Sequence, residues 1–326
     1  MLIENLALSG GGLKGIVYGG CFQALDECGI LKNIKRLSGT SIGSVFGYSI
    51  LLGFTPSQIQ EMICKINLTF LRDIHIDNIL SFHNSFGFDT GNNIENALRV
   101  ITEKQGFSPD ITFDQLYRIT GVEFIVVTTC VSERKKVPFS YKTHPNFSVV
   151  KAIRISCGFP IIFNATTIEN DDYVDGCLME NTPISFFTGD GDIDKTMAFL
   201  LNSNTTKYTH TLPNYIYNLF LCMTETIAEL QLNKYSDYIL NLNKIELSSI
   251  TEVTKEEKEN LIKYGYEATM EYIKKREMNE HINSNENENE TENENDDDIQ
   301  SQNTIDRKKK EFSKLTEQIN DILNYE

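Results

Sequence analysis

Two stretches decide how this chain reads: Gly10-Gly11-Gly12-Leu13-Lys14-Gly15 and Gly39-Thr40-Ser41-Ile42-Gly43. Each follows a short apolar run with strand character, and each opens an apolar stretch with helix character. A glycine turn at a helix N-terminus offers backbone N–H groups where negative charge is stabilised. A Gly-x-Ser-x-Gly on a sharp strand-to-helix turn is the pattern of a nucleophile elbow, with the hydroxyl exposed at its tip. An anion cradle and an exposed serine, close in sequence, point to acyl transfer through a covalent serine ester.

The bare serine motif arises by chance roughly 0.1 times in a chain of this length, taking Gly and Ser at about 7% each. Its surroundings add to it. Gly39 and Gly43 permit a tight turn and close backbone approach. The amide of Ile42, the residue after the serine, would face a developing oxyanion. The run Gly10, Gly11, Gly12 would supply the other half of that hole. Such preorganised donors are worth about 2.7–4 kcal/mol each in a transition state.

Working outward, Leu2 to Leu8 reads as a first strand and Leu13 to Cys28 as a helix, ended by Gly29. Ile34 to Leu37 is a short second strand running into the elbow, and Ser41 to Leu52 the elbow helix. Thr55-Pro56-Ser57-Gln58 and Thr112-Phe113-Asp114-Gln115 are capping boxes. Phe70 to Thr90 mixes Phe, Leu and Ile with Gly, Asn and Ser, and reads as loops and short helices flanking a pocket. Glu123 to Val131 is a buried strand that Val137 to Tyr141 can join. Ser148 caps a further helix, and Thr166 to Val174 reads as a hairpin or edge pair. Thr196 to Leu201 and Tyr238 to Leu247 are strands; Leu212 to Leu232 and Lys255 to Arg276 are long helices. The alternation predicts an α/β architecture with a largely parallel sheet.

With 326 residues, 40% apolar and 23% charged, the chain can bury a full core and carry a polar appendage. A net charge of -16 argues against a general nucleic-acid binder and against broad attraction to anionic membranes. Seven cysteines stand singly, without a C-x-x-C pair, so free thiols in a reducing compartment are expected. The N-terminus reads as no signal peptide, and no transmembrane segment is expected. A cytoplasmic or peripheral membrane location follows. Residues 283–298 are almost all Asn, Glu and Asp, the mark of disorder. Beyond them Arg307-Lys308-Lys309-Lys310 precedes Phe312, Leu315, Ile319 and Ile322 at helical spacing. The chain thus divides into a domain over 1–277, an acidic linker over 278–306, and a basic then amphipathic helix over 307–326. That last helix reads as a solvated end, or as a membrane or partner contact.

Competing readings bear on the same residues. Gly10, Gly12 and Gly15 also satisfy G-x-G-x-x-G, the dinucleotide fingerprint. The acidic residue it needs at the end of the second strand is missing, although Arg36 there could serve a 2′-phosphate. A serine needs a base. Ser41, Asp175 and His210 follow the order of an α/β-hydrolase triad, but the elbow comes after only one strand. Asp175-Gly176 alone is a common turn pair, and residues 170–181 do not fit a calcium loop. Lys14 is either a plain exposed lysine or part of the glycine loop. Phe82, Phe86 and Phe88 either pack in the core or line an acyl pocket.

Taken together, the glycine loop Gly10 to Gly15, the elbow at Ser41, Ser156-Cys157-Gly158-Phe159-Pro160 and Asp175-Gly176 resemble the patatin-like phospholipase family over roughly residues 1 to 277. Ile155 and Gly158 depart mildly from the small alanines common before the proline. The resemblance implies a three-layer α/β sandwich with a mostly parallel central sheet flanked by helices. It implies a Ser–Asp dyad with Ser41 as nucleophile and Asp175 as base, and an oxyanion loop at Gly10, Gly11 and Gly12 with Ile42. Lys14, Gly15, Gly39, Gly43 and Gly176 would support these motifs. It further implies hydrolysis of lipid ester bonds at a membrane or micelle surface, with no cofactor and no metal. A catalytically silent lipid- or partner-binding protein of the same fold is the alternative.

Overall fold

The run Glu123–Cys130 (β4) is buried at every position, and the sheet is built around it. Its near-continuous apolar, β-branched character suits a strand covered on both faces. The computed structural model describes residues 2–66, 73, 82–189, 191–202, 212–245, 247, 248 and 252–279. In chain order the other strands are Asn5–Leu8 (β1), Arg36–Thr40 (β2), Gly87–Asp89 (β3), Lys135–Phe139 (β5), Ile161–Phe163 (β6), Thr166–Ile168 (β7), Asp171–Asp175 (β8), Thr196–Leu201 (β9) and Ile239–Leu242 (β10). The helices are Tyr18–Glu27 (α1), Ile42–Leu51 (α2), Pro56–Lys65 (α3), Phe82–Ser85 (α4), Asn92–Lys104 (α5), Phe113–Thr120 (α6), Val149–Ser156 (α7), Cys177–Glu180 (α8), Leu212–Tyr235 (α9), and a last one over 255–279 (α10).

Among the described residues, eight strands form one sheet in the order β10-β9-β1-β2-β4-β8-β7, with β5 paired to β4. The pairs from β10 to β4 are parallel, while β5, β8 and β7 run antiparallel to their neighbours. The sheet is therefore mixed, with a parallel centre. β3 and β6 form a separate parallel pair.

Strand alternation divides the core between the two faces. Leu6, Leu8, Phe124, Val126, Met197 and Phe199 join Phe22, Phe46, Tyr48 and Ile153 from α1, α2 and α7 on one face. Ala7, Ile125, Val127, Ala198 and Leu200 pack on the other with Ile184, Phe187 and Ala228 of α9. Helices thus cover both faces of an open α/β sheet. The first compact unit ends at Ile273, and the chain from Lys274 forms a second.

Local signals act where expected. Thr55 and Thr112 each close a reciprocal capping box with Gln58 and Gln115, and the Ser148 side chain caps α7. Gly29 takes φ 67 after α1, as a left-handed helix end requires. Several elements differ from the sequence reading: the strand expected over Ile34 to Leu37 runs over Arg36–Thr40, and the one expected over Val137 to Tyr141 runs over Lys135–Phe139. The helix expected from Leu13 begins as a 3-10 helix over Gly12–Val17, opened by the Lys14 N–H donating to Gly11 O at 3.2 Å. The strand expected over Tyr238 to Leu247 stops at Leu242. Among the described residues it pairs only with β9, whose last residue, Leu201, faces Leu242. The linker over 278–306, apart from 278 and 279, and the terminal helix over 307–326 lie outside the described residues.

Candidate active site

The register along β4 assembles the site. On one edge β2 runs parallel to it, ending with Thr40 opposite Val127. β5 holds the other edge from Val126 to Cys130. β8 therefore takes up the edge that β2 leaves, with Asp175 opposite Thr128. The ends of β2 and β8 meet at consecutive residues of a third strand, and Ser41 and Asp175 come together there.

Ser41 is the N-cap of α2 with φ 51 and ψ -126, a conformation that an L residue holds only under constraint. The constraint is visible. The Ser41 amide donates to Ser156 Oγ at 2.8 Å, and Ser156 Oγ donates to Val127 O at 2.6 Å. The Thr40 hydroxyl donates to Glu180 O at 2.9 Å. The glycines at the elbow are required by space: a Cβ on Gly39 would stand 2.6 Å from Ser44 Cα, and one on Gly43 would stand 2.3 Å from Leu8 O. Gly176 is packed as closely against Val127 O, and Gly15 against the side chain of Ile42.

The Ser41 side chain neighbours the Asp175 carboxylate and favours its ionised form. Asp175 is buried, and burial raises its pKa from 3.8 to about 6, against the opposing hydrogen bonds from Cys177 and Ser41. Its Oδ1 accepts the Cys177 amide at 2.9 Å, and its own amide donates to Gly158 O at 2.9 Å. The Cys157 thiol lies against Ser41 and Ser44, and burial pushes its pKa up to about 12. It is held protonated beside the serine.

The glycine loop runs past the elbow. Ser41 Cβ is 3.1 Å from where a Cβ on Gly10 would stand. Gly10 donates its amide to Asn181 O at 3.1 Å, which assigns that amide to anchoring the loop. Gly12 has φ 56 at the start of the 3-10 helix, open to solvent. Gly11 and Gly12 follow Gly10 in the loop, and Ile42 takes the first position of α2. Lys14 is not a plain exposed lysine. It is half-buried in the 3-10 helix, and burial lowers its pKa while the charge of Glu225 on α9 opposes that shift.

The competing readings fare differently. Arg36 is engaged by Glu123 at 3.2 Å, Asp192 at 2.7 Å and Phe186 O at 2.8 Å, so it has no phosphate to hold. His210 lies outside the described residues. Phe86 and Phe88 are exposed, which corrects the core reading of that cluster, and Phe82 stacks on Phe88 at 4.6 Å. Most of the remainder of Phe70 to Thr90 lies outside the described residues. Among the described residues, Cys130, Glu133 and Asp171 bring possible metal-ligand atoms within 4.8 Å of one another. This group surrounds the β4–β5 turn, and Lys135 already pairs with Glu133.

Ser156, Asn181 and Thr40 escaped the sequence reading as positioning groups. A hydroxyl or amide that holds a loop by one long-range hydrogen bond leaves no periodicity or spacing to read.

A family model for patatin-like phospholipases matches residues 6–188, more than half of the chain. The chain belongs to the patatin-like phospholipase family. The match contains the glycine loop, Ser41 and Asp175. Uncharacterized protein R571 of Acanthamoeba polyphaga mimivirus is 28% identical over 242 residues, 74% of this chain and 74% of that one. Probable lipid hydrolase 463L of Invertebrate iridescent virus 6 is 28% identical over 183 residues, 56% of this chain and 62% of that one. The second match therefore takes in less than two thirds of the relative's length. In fold, the chain is similar to VipD from Legionella pneumophila, with a TM-score of 0.58 at 17% identity, over 85% of this chain and 67% of that one.

Proposed function

We propose that this patatin-like protein hydrolyses carboxylic ester bonds of phospholipids or related lipids, with Ser41 as nucleophile and Asp175 as base. The observation that carries the reading is a serine on a strained elbow placed beside a buried carboxylate of raised proton affinity. An ordinary aspartate is a weak base; one near 6 holds a proton far better and is still ionised at neutral pH.

Asp175 takes the Ser41 hydroxyl proton as Oγ attacks the ester carbonyl carbon. The carbonyl electron pair moves to oxygen, and the N–H groups of Gly11, Gly12 and Ile42 hold that oxyanion. Collapse breaks the bond to the leaving alcohol, which takes the proton from Asp175 and leaves an acyl-Ser41 ester. Water then attacks the ester, Asp175 accepts its proton, and collapse frees the fatty acid and returns the proton to Ser41. The raised pKa of Asp175 serves both directions of transfer.

Labelling with a fluorophosphonate probe, run beside a lipid-ester hydrolysis assay, tests the reading. Wild type should label and turn over, and Ser41→Ala should do neither. Absence of labelling in folded wild type would point instead to a silent binder of the same fold.

A further inference from the structure

We infer that the protein docks on a zwitterionic lipid surface through an apolar rim formed by one face of α9 and the β3–β6 pair, placed next to the Ser41–Asp175 site. The inference rests on the lipid-ester reading above and names the surface on which that site works.

α9 exposes a stripe of large apolar side chains. Tyr215 is 51% exposed, Leu219 47%, Met223 50% and Leu230 65%. At about 100° per residue they fall within an arc of about 80°. Thr224 and Ala228, on the opposite side, are buried. A helix that buries small residues and presents large ones outward has its apolar face unpartnered among the described residues. Phe86, Phe88 and Ile162 add exposed apolar groups from the strand pair. Phe86 and Ile161 hold left-handed φ values of 58 and 71, strain that bulky residues rarely carry.

The two patches meet at the site. Phe220, next to Leu219, packs edge-on against Phe159 at 5.3 Å. Phe159 follows Gly158, whose carbonyl holds the Asp175 amide. Gly87 pairs with Ile161 and Asp89 with Phe163, which carries the contact on to Phe86 and Phe88.

Charge selects the occupant. Residues 82–88, 155–168 and 212–224 contain no Asp, Glu, Lys or Arg. The charged residues next along α9 are acidic, Glu225 and Glu229, and both are exposed. Among the described residues of these segments an anionic headgroup finds no cation, and the half-buried Lys14 is already opposed by Glu225, whereas apolar insertion under zwitterionic headgroups meets no charge to desolvate there. A contiguous apolar patch of this kind marks an interaction surface.

The test uses the full chain carrying Ser41→Ala, so that vesicles stay intact. It should sediment with phosphatidylcholine vesicles, gain nothing from added phosphatidylserine, and stay bound from about 0.1 M to about 1 M salt, where screening removes ionic attraction. Leu219→Asp with Met223→Asp should cut the bound fraction about tenfold, because two charges then enter the apolar layer. Phe86→Asp, on the other patch, should lower it independently. Binding that needs phosphatidylserine, or is lost at high salt, overturns the inference. So does a stable dimer that the double substitution dissociates while vesicle binding is absent, since the stripe would then belong to a second copy. Wild type assayed on a soluble short-chain ester separates the two readings. Hydrolysis without vesicle binding removes the docking surface and leaves the chemistry; binding without hydrolysis does the reverse.

Discussion

The side chain of Ser156 accepts the backbone amide of Ser41 at 2.8 Å and passes the hydrogen bond on to Val127 O at 2.6 Å. One buried hydroxyl thus ties the strained elbow to the central strand of the sheet.

Ser156→Ala removes that tie while leaving both reacting groups in place. The Ser41 amide then loses its acceptor, at a cost of about 1–3 kcal/mol. A kcat reduced about tenfold to a hundredfold, with KM little changed, is expected, together with slower fluorophosphonate labelling. A purely structural role would lower the melting temperature and leave kcat per folded molecule unchanged. Steady-state kinetics on refolded, active-site-titrated protein decide between them.

The backbone at Ser41 stores strain that glycine would relieve. Ser41→Gly and Ser41→Ala should both be inactive. Ser41→Gly should be the more stable of the two by about 1–3 kcal/mol, since φ 51 suits glycine and not alanine. Urea unfolding of the pair measures it; equal stability would mean that the elbow relaxes when the hydroxyl is removed.

Asp175 should impose opposite pH dependences on activity and stability. In the proposed role of base it must be ionised, so kcat/KM should rise with pH and level off above about 6. Its folded pKa lies above the unfolded value, so the native state binds more protons between the two. Stability present below 3.8 is lost as pH rises towards about 6, by about 3 kcal/mol in all. Asp175→Asn should abolish turnover and escape this loss. Its melting temperature should exceed that of wild type at pH 7 and converge on it near pH 4.

Gly43→Ala should damage the fold as well as the site. Its Cβ would lie 2.3 Å from Leu8 O on β1, a backbone atom that cannot turn aside. A loss of about 3 kcal/mol or outright misfolding is expected, read by circular dichroism and denaturant melts. Native-like stability would show that α2 can shift away from β1.

Much of the scaffold was legible because it rests on local chemistry. The capping boxes at Thr55 and Thr112, the Ser148 cap, the Gly29 helix end and the run Glu123–Cys130 depend on residues within a few positions of one another. The glycine spacings around Ser41 were legible for the same reason, since a backbone that passes within 3 Å of another accepts no Cβ. What the sequence left open depended on contacts between residues far apart in the chain. Ser156 finds Ser41 across 115 positions, and Asn181 finds Gly10 across 171. Arg36 was available to a phosphate until Asp192 was brought beside it. Phe86 and Phe88 carry the same apolar side chains as core residues, and only the packing of β3 on β6 turned them outward. The raised proton affinity of Asp175 also belongs to the tertiary structure, because burial is a property of everything packed around a group and not of its neighbours in the chain.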